Sequence, residues 1–131
     1  MRIMIDTNIL ISALLSPQGR ISVLLKSIMD AHSICIASFS VTEMELVVER
    51  KFPKRIGTTE NLLNSLVYEL LRTPHIMPDL PKIRDLDDRP ILASAILADV
   101  DVLLTGDKDF DDVVIDRPKI MTPAQFAATY L

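Results

Sequence analysis

The stretch MRIMIDTNILI (residues 1–11) decides the fold. Met1 to Ile5 are almost wholly apolar and stop at an acid, as a strand buried on both faces does. Asp6-Thr7-Asn8 are cap-favouring residues, and Ile9-Leu10-Ile11 follow them, so a short helix is expected at the strand's carboxyl end. Strand, cap and helix within one short stretch read as the start of a βα unit.

Outward from that unit the same alternation continues. Pro17-Gln18-Gly19 breaks the first helix, and Ile21, Leu24, Leu25 and Ile28 take helical spacing between Arg20 and Asp30. Ser33 to Ala37 (SICIA) suits a second buried strand. Ser38 or Ser40 caps a helix running to about Lys51 or Phe52, which Pro53 and Gly57 close. Thr58 or Thr59 caps the next helix. There Leu62, Leu66 and Leu70, with Leu63, Val67 and Leu71, predict a leucine-rich helix from Asn61 to Arg72 with a wide apolar face. Pro74, Pro78 and Pro81 leave room for a short strand near His75 to Met77. Pro90 fits the first turn of a helix that buries Ile91, Leu92, Ala95 and Ile96 and ends near Asp99. Val102 to Leu104 and Lys119 to Met121 are further strands, and Pro123 to Tyr130 a last helix. Short strands alternating with helices imply an α/β fold: a three-layer, doubly wound, mostly parallel sheet with helices on both faces, as one domain over residues 1–131.

Composition bounds the function. A chain with 49% hydrophobic residues and a mean hydropathy of +0.30 has the apolar content for a core, which excludes a disordered protein. The single cysteine, Cys35, excludes an intramolecular disulfide framework and fits a reducing compartment. No apolar run approaches the ~20 residues that span a bilayer, and the acid at position 6 comes too early for a signal peptide. The expectation is a soluble, cytoplasmic protein without membrane contact. Fourteen Lys and Arg against 18 Asp and Glu give a net charge of −4, the wrong sign for binding nucleic acid by bulk phosphate neutralisation. With 5% aromatic residues and no tryptophan, a stacking platform for single strands is excluded as well. Any work on nucleic acid must come from a local site.

The acids supply one. Asp6 closes the first strand, Glu43 lies one turn into the helix after the second, Asp87 and Asp88 precede a helix, and Asp107 and Asp109 follow the strand at Val102 to Leu104. In a doubly wound sheet these points meet at the carboxyl ends of the strands, where ligands collect. Singly, Asp6, Asp88 and Asp107 read as helix caps and Glu43 as a solvated residue. Caps do not explain why all of them share one crevice. Two carboxylates about 4 Å apart repel by about 4 kcal/mol at an effective dielectric of 20. Protonation or a bound cation relieves that repulsion. An all-oxygen donor set with no Cys/His cluster selects Mg²⁺ or Mn²⁺ over zinc, and metal among acids at a strand-end crevice suits phosphoryl chemistry. No Gly-rich phosphate loop and no G-x-S-x-G elbow is present.

Four motifs in order carry a family resemblance: Asp6-Thr7-Asn8 after the first strand, Ser38 to Glu43 as Ser-x-x-x-x-Glu, Asp88 in Asp-Asp-Arg-Pro, and Thr105-Gly106-Asp107-Lys108-Asp109-Phe110. Together they resemble the PIN domain, and Glu43 to Phe52 (EMELVVERKF) is similar to a toxin-like subgroup of it. The resemblance implies a VapC-like, metal-dependent endoribonuclease, the toxin of a type II toxin–antitoxin pair, which hydrolyses RNA phosphodiesters to leave a 5′-phosphate. It implies catalytic and metal-binding roles for Asp6, Glu43, Asp88 and Asp107, with Asp109 as a fifth metal ligand. Asn8 and Thr105 would support the site by hydrogen bonding, while Asp85 and Asp87 stand in an undecided register. The implied partners are an RNA substrate, an antitoxin protein and a second copy of the chain; the cofactor is Mg²⁺ or Mn²⁺. Arg50, Lys51, Lys54 and Arg55, the densest basic group, are candidates for the RNA backbone.

Two other readings are weighed against it. A haloacid-dehalogenase-like phosphatase wants Asp-x-Asp after the first strand, but position 8 is Asn, and a receiver domain wants an acidic pair there. Another acid-site, Mg-dependent phosphohydrolase is the enzymatic alternative. A non-catalytic PIN-like module binding RNA or protein is the other, and the presence of every expected acid gives it no support.

Overall fold

A computed structural model describes residues 1–131. Five strands form one all-parallel sheet in the order β3-β2-β1-β4-β5: β1 Arg2–Ile5, β2 Ser33–Ala37, β3 Tyr68–Leu71, β4 Val102–Leu104 and β5 Lys119–Met121. Six helices connect and follow them: α1 Thr7–Leu15, α2 Arg20–Ala31, α3 Ser38–Lys51, α4 Ile56–Ser65, α5 Arg89–Leu97 and α6 Pro123–Tyr130. No single helix is long and apolar enough to cross a membrane.

The strands are apolar on alternate sides, and each side has its own core. Ile3, Ile5, Ile34, Ile36, Val102 and Leu104 meet apolar residues of α1, α2, α3 and α6 on one face. Met4, Cys35, Ala37 and Leu103 meet Ile91, Leu92 and Ala95 of α5, with Ile83 and Phe110, on the other. The result is the expected three-layer, doubly wound α/β fold with helices on both faces, heavier on the first. The chain reverses its direction of winding beside β1, so the carboxyl ends of β1 and β4 lie together at the switch point.

One region differs from its sequence reading. The predicted helix from Asn61 to Arg72 stops at Ser65, and Tyr68–Leu71 instead pair with Ile34–Ala37 as the edge strand β3. Leu62, Leu63 and Leu66 reach the larger core. Past Leu66, the outer edge of β2 offers backbone partners that a helix would leave unmet. Val67 and Tyr68 are β-favouring residues at the point of change. The segment from His75 to Met77 forms no strand.

Candidate metal and active site

Asp6 is the deepest acid of the carboxyl edge, 5% exposed. Its Oδ1 accepts from Thr7 N at 2.7 Å and its Oδ2 from Thr105 Oγ1 at 2.7 Å. Thr105 Oγ1 in turn accepts from Asp107 N at 3.0 Å. One buried hydroxyl therefore joins the end of β1 to the turn after β4 and fixes two acids relative to each other. Burial pushes the Asp6 carboxyl up to about 6. The hydrogen bonds from Thr105 and Thr7 oppose that rise, and the charges of Asp107 and Glu43 add to it.

Asp88 precedes α5 without capping it. Its Oδ2 is buried and has no hydrogen-bond partner. Burial pushes this carboxyl up to about 8, followed in effect by the close Asp107 carboxyl, with which it can share a proton, and by the charges of Asp107, Asp6 and Asp85. Asp6, Asp88 and Asp107 are thus within electrostatic reach of one another, and Glu43 is within reach of Asp6.

A second tier lies outside them. Carboxylate oxygens of Asp85, Asp88 and Asp109 all fall within 4.8 Å of one another, a spacing that one cation can bridge. Two similar turns build this tier: Asp85 Oδ1 accepts from Asp87 N at 2.9 Å, and Asp107 Oδ1 accepts from Asp109 N at 2.9 Å. Each uses one oxygen to shape its own Asp-x-Asp turn. Asp6 and Asp107 cap as the sequence suggests and Asp88 does not, and the capping bonds fix the direction of the acids that make them. Asp87 donates its backbone to the turn and stays exposed, while Asp85, left undecided by the sequence, joins the cluster. The repeated Asp-x-Asp was the available signal for it. Arg84, also unmarked by any motif, lies 3.7 Å from Asp109 and pairs with Asp112.

Further from the acids, Thr73 ties the start of α3 to the middle of α5. Its N–H donates to Ser38 Oγ at 3.0 Å, and its Oγ1 accepts from Phe39 N at 3.1 Å and lies 3.0 Å from Ser94 Oγ. This polar knot holds the helix that carries Glu43 against the one that follows Asp88.

Two expectations are placed less closely. Asn8 is exposed and its side chain makes no hydrogen bond; its Nδ2 stands near Gly106, and only its backbone carbonyl is engaged, by Ser12 Oγ at 3.0 Å. Arg50 and Lys51 end α3 and Lys54 and Arg55 follow in a 3-10 turn, so the group starts about 10 Å along the helix axis beyond Glu43. An apolar cleft of about 400 Å³ between α1, α2 and α4 is lined by Leu14, Leu25, Met29 and Leu66 and contains none of these acids.

The donor set fits a hard divalent cation. Every candidate ligand is a carboxylate oxygen, one of them is buried without a donor, and two carry pKa values raised by burial and like charge. A cation at that place would satisfy the orphaned oxygen and remove the repulsion together.

Among curated protein sequences none matches this chain. In fold it is similar to a chain in the crystal structure of VapBC2 from Rickettsia felis bound to a DNA fragment from their promoter, with a TM-score of 0.71 at 16% identity, covering 93% of this chain and 98% of that one. The family model for the PIN domain matches residues 2–109, a span that includes every acid of both tiers. This chain belongs to the PIN domain family.

Proposed function

We propose that the protein is an endoribonuclease that hydrolyses RNA phosphodiester bonds with Mg²⁺ or Mn²⁺, and that it acts as the toxin of a toxin–antitoxin pair in the cytoplasm. The observation that carries the reading is the mutual influence of the acids at the carboxyl edge: Asp6 feels the charges of Asp107 and Glu43, and Asp88, with a buried and unpartnered oxygen, feels those of Asp107 and Asp6. Membership of a family whose members generally use divalent metals supports it. Asp6, Glu43, Asp88 and Asp107 would hold the ion, with Asp109 and Asp85 at the rim. A bound ion of this kind supplies an activated water and charge stabilisation at the leaving oxygen.

The chain's own residues do the positioning. Thr105 keeps Asp6 in one orientation and Asp107 N–H engaged, so neither acid must reorganise when substrate arrives. Asp88, with its raised pKa, is the group best placed to hold a proton when no cation is near and to release it when one binds. The likeness to a chain of VapBC2 supports an antitoxin partner, and the apolar cleft between α1, α2 and α4 is a surface that such a partner or a second copy would cover.

The test is cleavage of a mixed RNA pool by purified protein with Mg²⁺ or Mn²⁺, with chelator, and with Asp6→Asn. Metal-dependent cleavage that disappears in the variant is the expected result. Equal cleavage by wild type and Asp6→Asn would assign the activity to a contaminant and overturn the proposal.

A further inference from the structure

A groove of about 830 Å³ opens directly beside the acids. Thr105, Gly106 and Asp107 form its upper end, and it continues along the free edge of β5 to Lys119, with Gln125 and Thr129 of α6 on its far wall. Asp107 thus belongs to two places at once, the carboxylate cluster and the mouth of the groove. The volume is that of a site for a nucleotide-sized ligand.

The lining has the chemistry of a single nucleic-acid strand. Lys108 and Lys119 are exposed, and neither enters an ion pair. Lys119 stands opposite Val102 and Met121 opposite Leu104. The lysine therefore sits about 7 Å down the strand from the carboxyl edge. The backbone of β5 adds a donor. Lys119 N bonds Asp101 O at 3.0 Å and Met121 O accepts from Thr105 N at 3.0 Å, both toward β4. Strand backbone groups alternate in direction, so Ile120 turns its N–H and C=O to the open side. Val113, Ile115 and Met121 supply an apolar surface on which an unpaired base can lie. Asp111 is the one acid the groove adds beyond Asp107, so the cationic character lies toward the Lys119 end.

We infer that the groove along the open edge of β5 is the track for single-stranded RNA next to the scissile phosphate, with Lys119 and Lys108 as its phosphate contacts and the Ile120 backbone and Gln125 as hydrogen-bonding groups. The inference rests on the ribonuclease reading for its substrate and goes beyond it in assigning the path. It also gives a chain of net charge −4 a local place for a strand, because two lysines outside any ion pair line one groove, with Lys119 at the end away from Asp107.

The experiment uses fluorescence anisotropy of a short, 5′-fluorescein-labelled single-stranded RNA, measured on the Asp6→Asn protein with and without Lys119→Glu, Lys108→Glu or Arg50→Glu. Steady-state cleavage by the same substitutions in the wild-type background runs beside it. Lys119→Glu is expected to weaken binding at least tenfold, to flatten the salt dependence, and to raise KM while kcat changes less than about threefold. Lys108→Glu is expected to act the same way and less strongly, and the matching RNA duplex to bind less tightly than the single strand. Binding within twofold of the parent for both lysine variants, or a larger loss from Arg50→Glu, overturns the track. If Asp6-dependent cleavage survives that result, the ribonuclease reading stands without it. If binding depends on Lys119 but no RNA is cut with either metal, the track stands and the ribonuclease reading falls. Neither binding nor cleavage overturns both.

Discussion

Asp6 and Asp109 are both acids at the carboxyl edge of one sheet, yet they live in different environments. Asp6 is buried, and both of its oxygens accept hydrogen bonds from fixed donors. Asp109 is half-buried at the mouth, and its charge faces Arg84 across 3.7 Å. The inner acid is held by the fold and cannot move without disturbing β1 and β4. The outer acid is held by a surface ion pair that solvent screens. Positioned charge is what a catalytic centre needs, so the inner tier should carry the chemistry and the rim should tune it.

That contrast can be broken most sharply by activity. Asp6→Asn should lower the cleavage rate by at least ~1,000-fold, about 4 kcal/mol of transition-state stabilisation, while Asp109→Asn should cost about tenfold or less. Single-turnover cleavage with saturating Mn²⁺ measures both. Equal losses would mean that the two tiers act as one cluster and that depth does not rank them.

Stability against pH tests the inner tier without any substrate. Burial first, and the neighbouring carboxylates after it, push Asp88 up to about 8 and Asp6 up to about 6 from the ordinary value of 3.8. The folded state therefore binds more protons than the unfolded state between those limits, and stability must fall as pH rises through that window. Below about pH 4 both states are protonated and the penalty is gone. Metal-free protein should melt higher at pH 5 than at pH 8, and Mn²⁺ should flatten the difference. Solvent screens the half-buried Asp88, so its share is about 1–2 kcal/mol, or roughly 5 °C in melting temperature. Asp88→Asn should restore that amount at pH 8 because the amide can donate to Asp107, and should gain little at pH 5. A variant less stable than wild type at pH 8 without metal would show that Asp88 carries no repulsion.

The hydroxyl that unites the inner tier gives a smaller effect. Thr105→Val keeps the shape but leaves Asp6 Oδ2 without a donor, and Asp107 N–H without its acceptor. Divalent-metal affinity, read by calorimetry, should fall about tenfold, and Thr105→Ser should recover most of it. Equal losses in both variants would assign the effect to packing of the threonine methyl group.

The sequence discloses the two tiers unequally, for a physical reason. β1, β2 and β4 are central strands covered on both faces, so they appear as apolar runs, and Asp6 and Asp107 can be read from where β1 and β4 stop. Glu43 and Asp88 follow from the helices attached to them. β3 is an edge strand with Leu70 half exposed, and Leu62, Leu66 and Leu70 imitate a helical face across the break at Ser65. Nothing in that spacing reveals that the outer edge of β2 is waiting for a partner. The rim is hidden differently. Asp85 and Asp109 approach each other because two Asp-x-Asp turns fold onto their own backbones, and side-chain-to-backbone bonds of that kind fix directions that residue spacing does not encode. The basic run near Arg50 was conspicuous for its density, although α3 carries it away from the acids.

Arg84 offers the finest division between the tiers. Its guanidinium is held by Asp112 and Asp109, which keep its pKa above the ordinary arginine range through hydrogen bonding to Asp112 first. In the protein without metal it is the cation nearest the outer cluster, so it competes with any ion that would use Asp109. Arg84→Ala should leave the melting temperature within about 2 °C, because exposed ion pairs contribute little. It should tighten binding of a divalent ion at the rim by about two- to threefold, since Asp109 loses a rival partner. Calorimetric titration with Mn²⁺ on the Asp6→Asn background, where the inner tier is weakened, isolates that step. Tighter binding there would mean that Arg84 guards the outer acids against the metal. Unchanged binding would mean that Asp109 serves its turn and its arginine, and that the cation is left to Asp6, Glu43, Asp88 and Asp107.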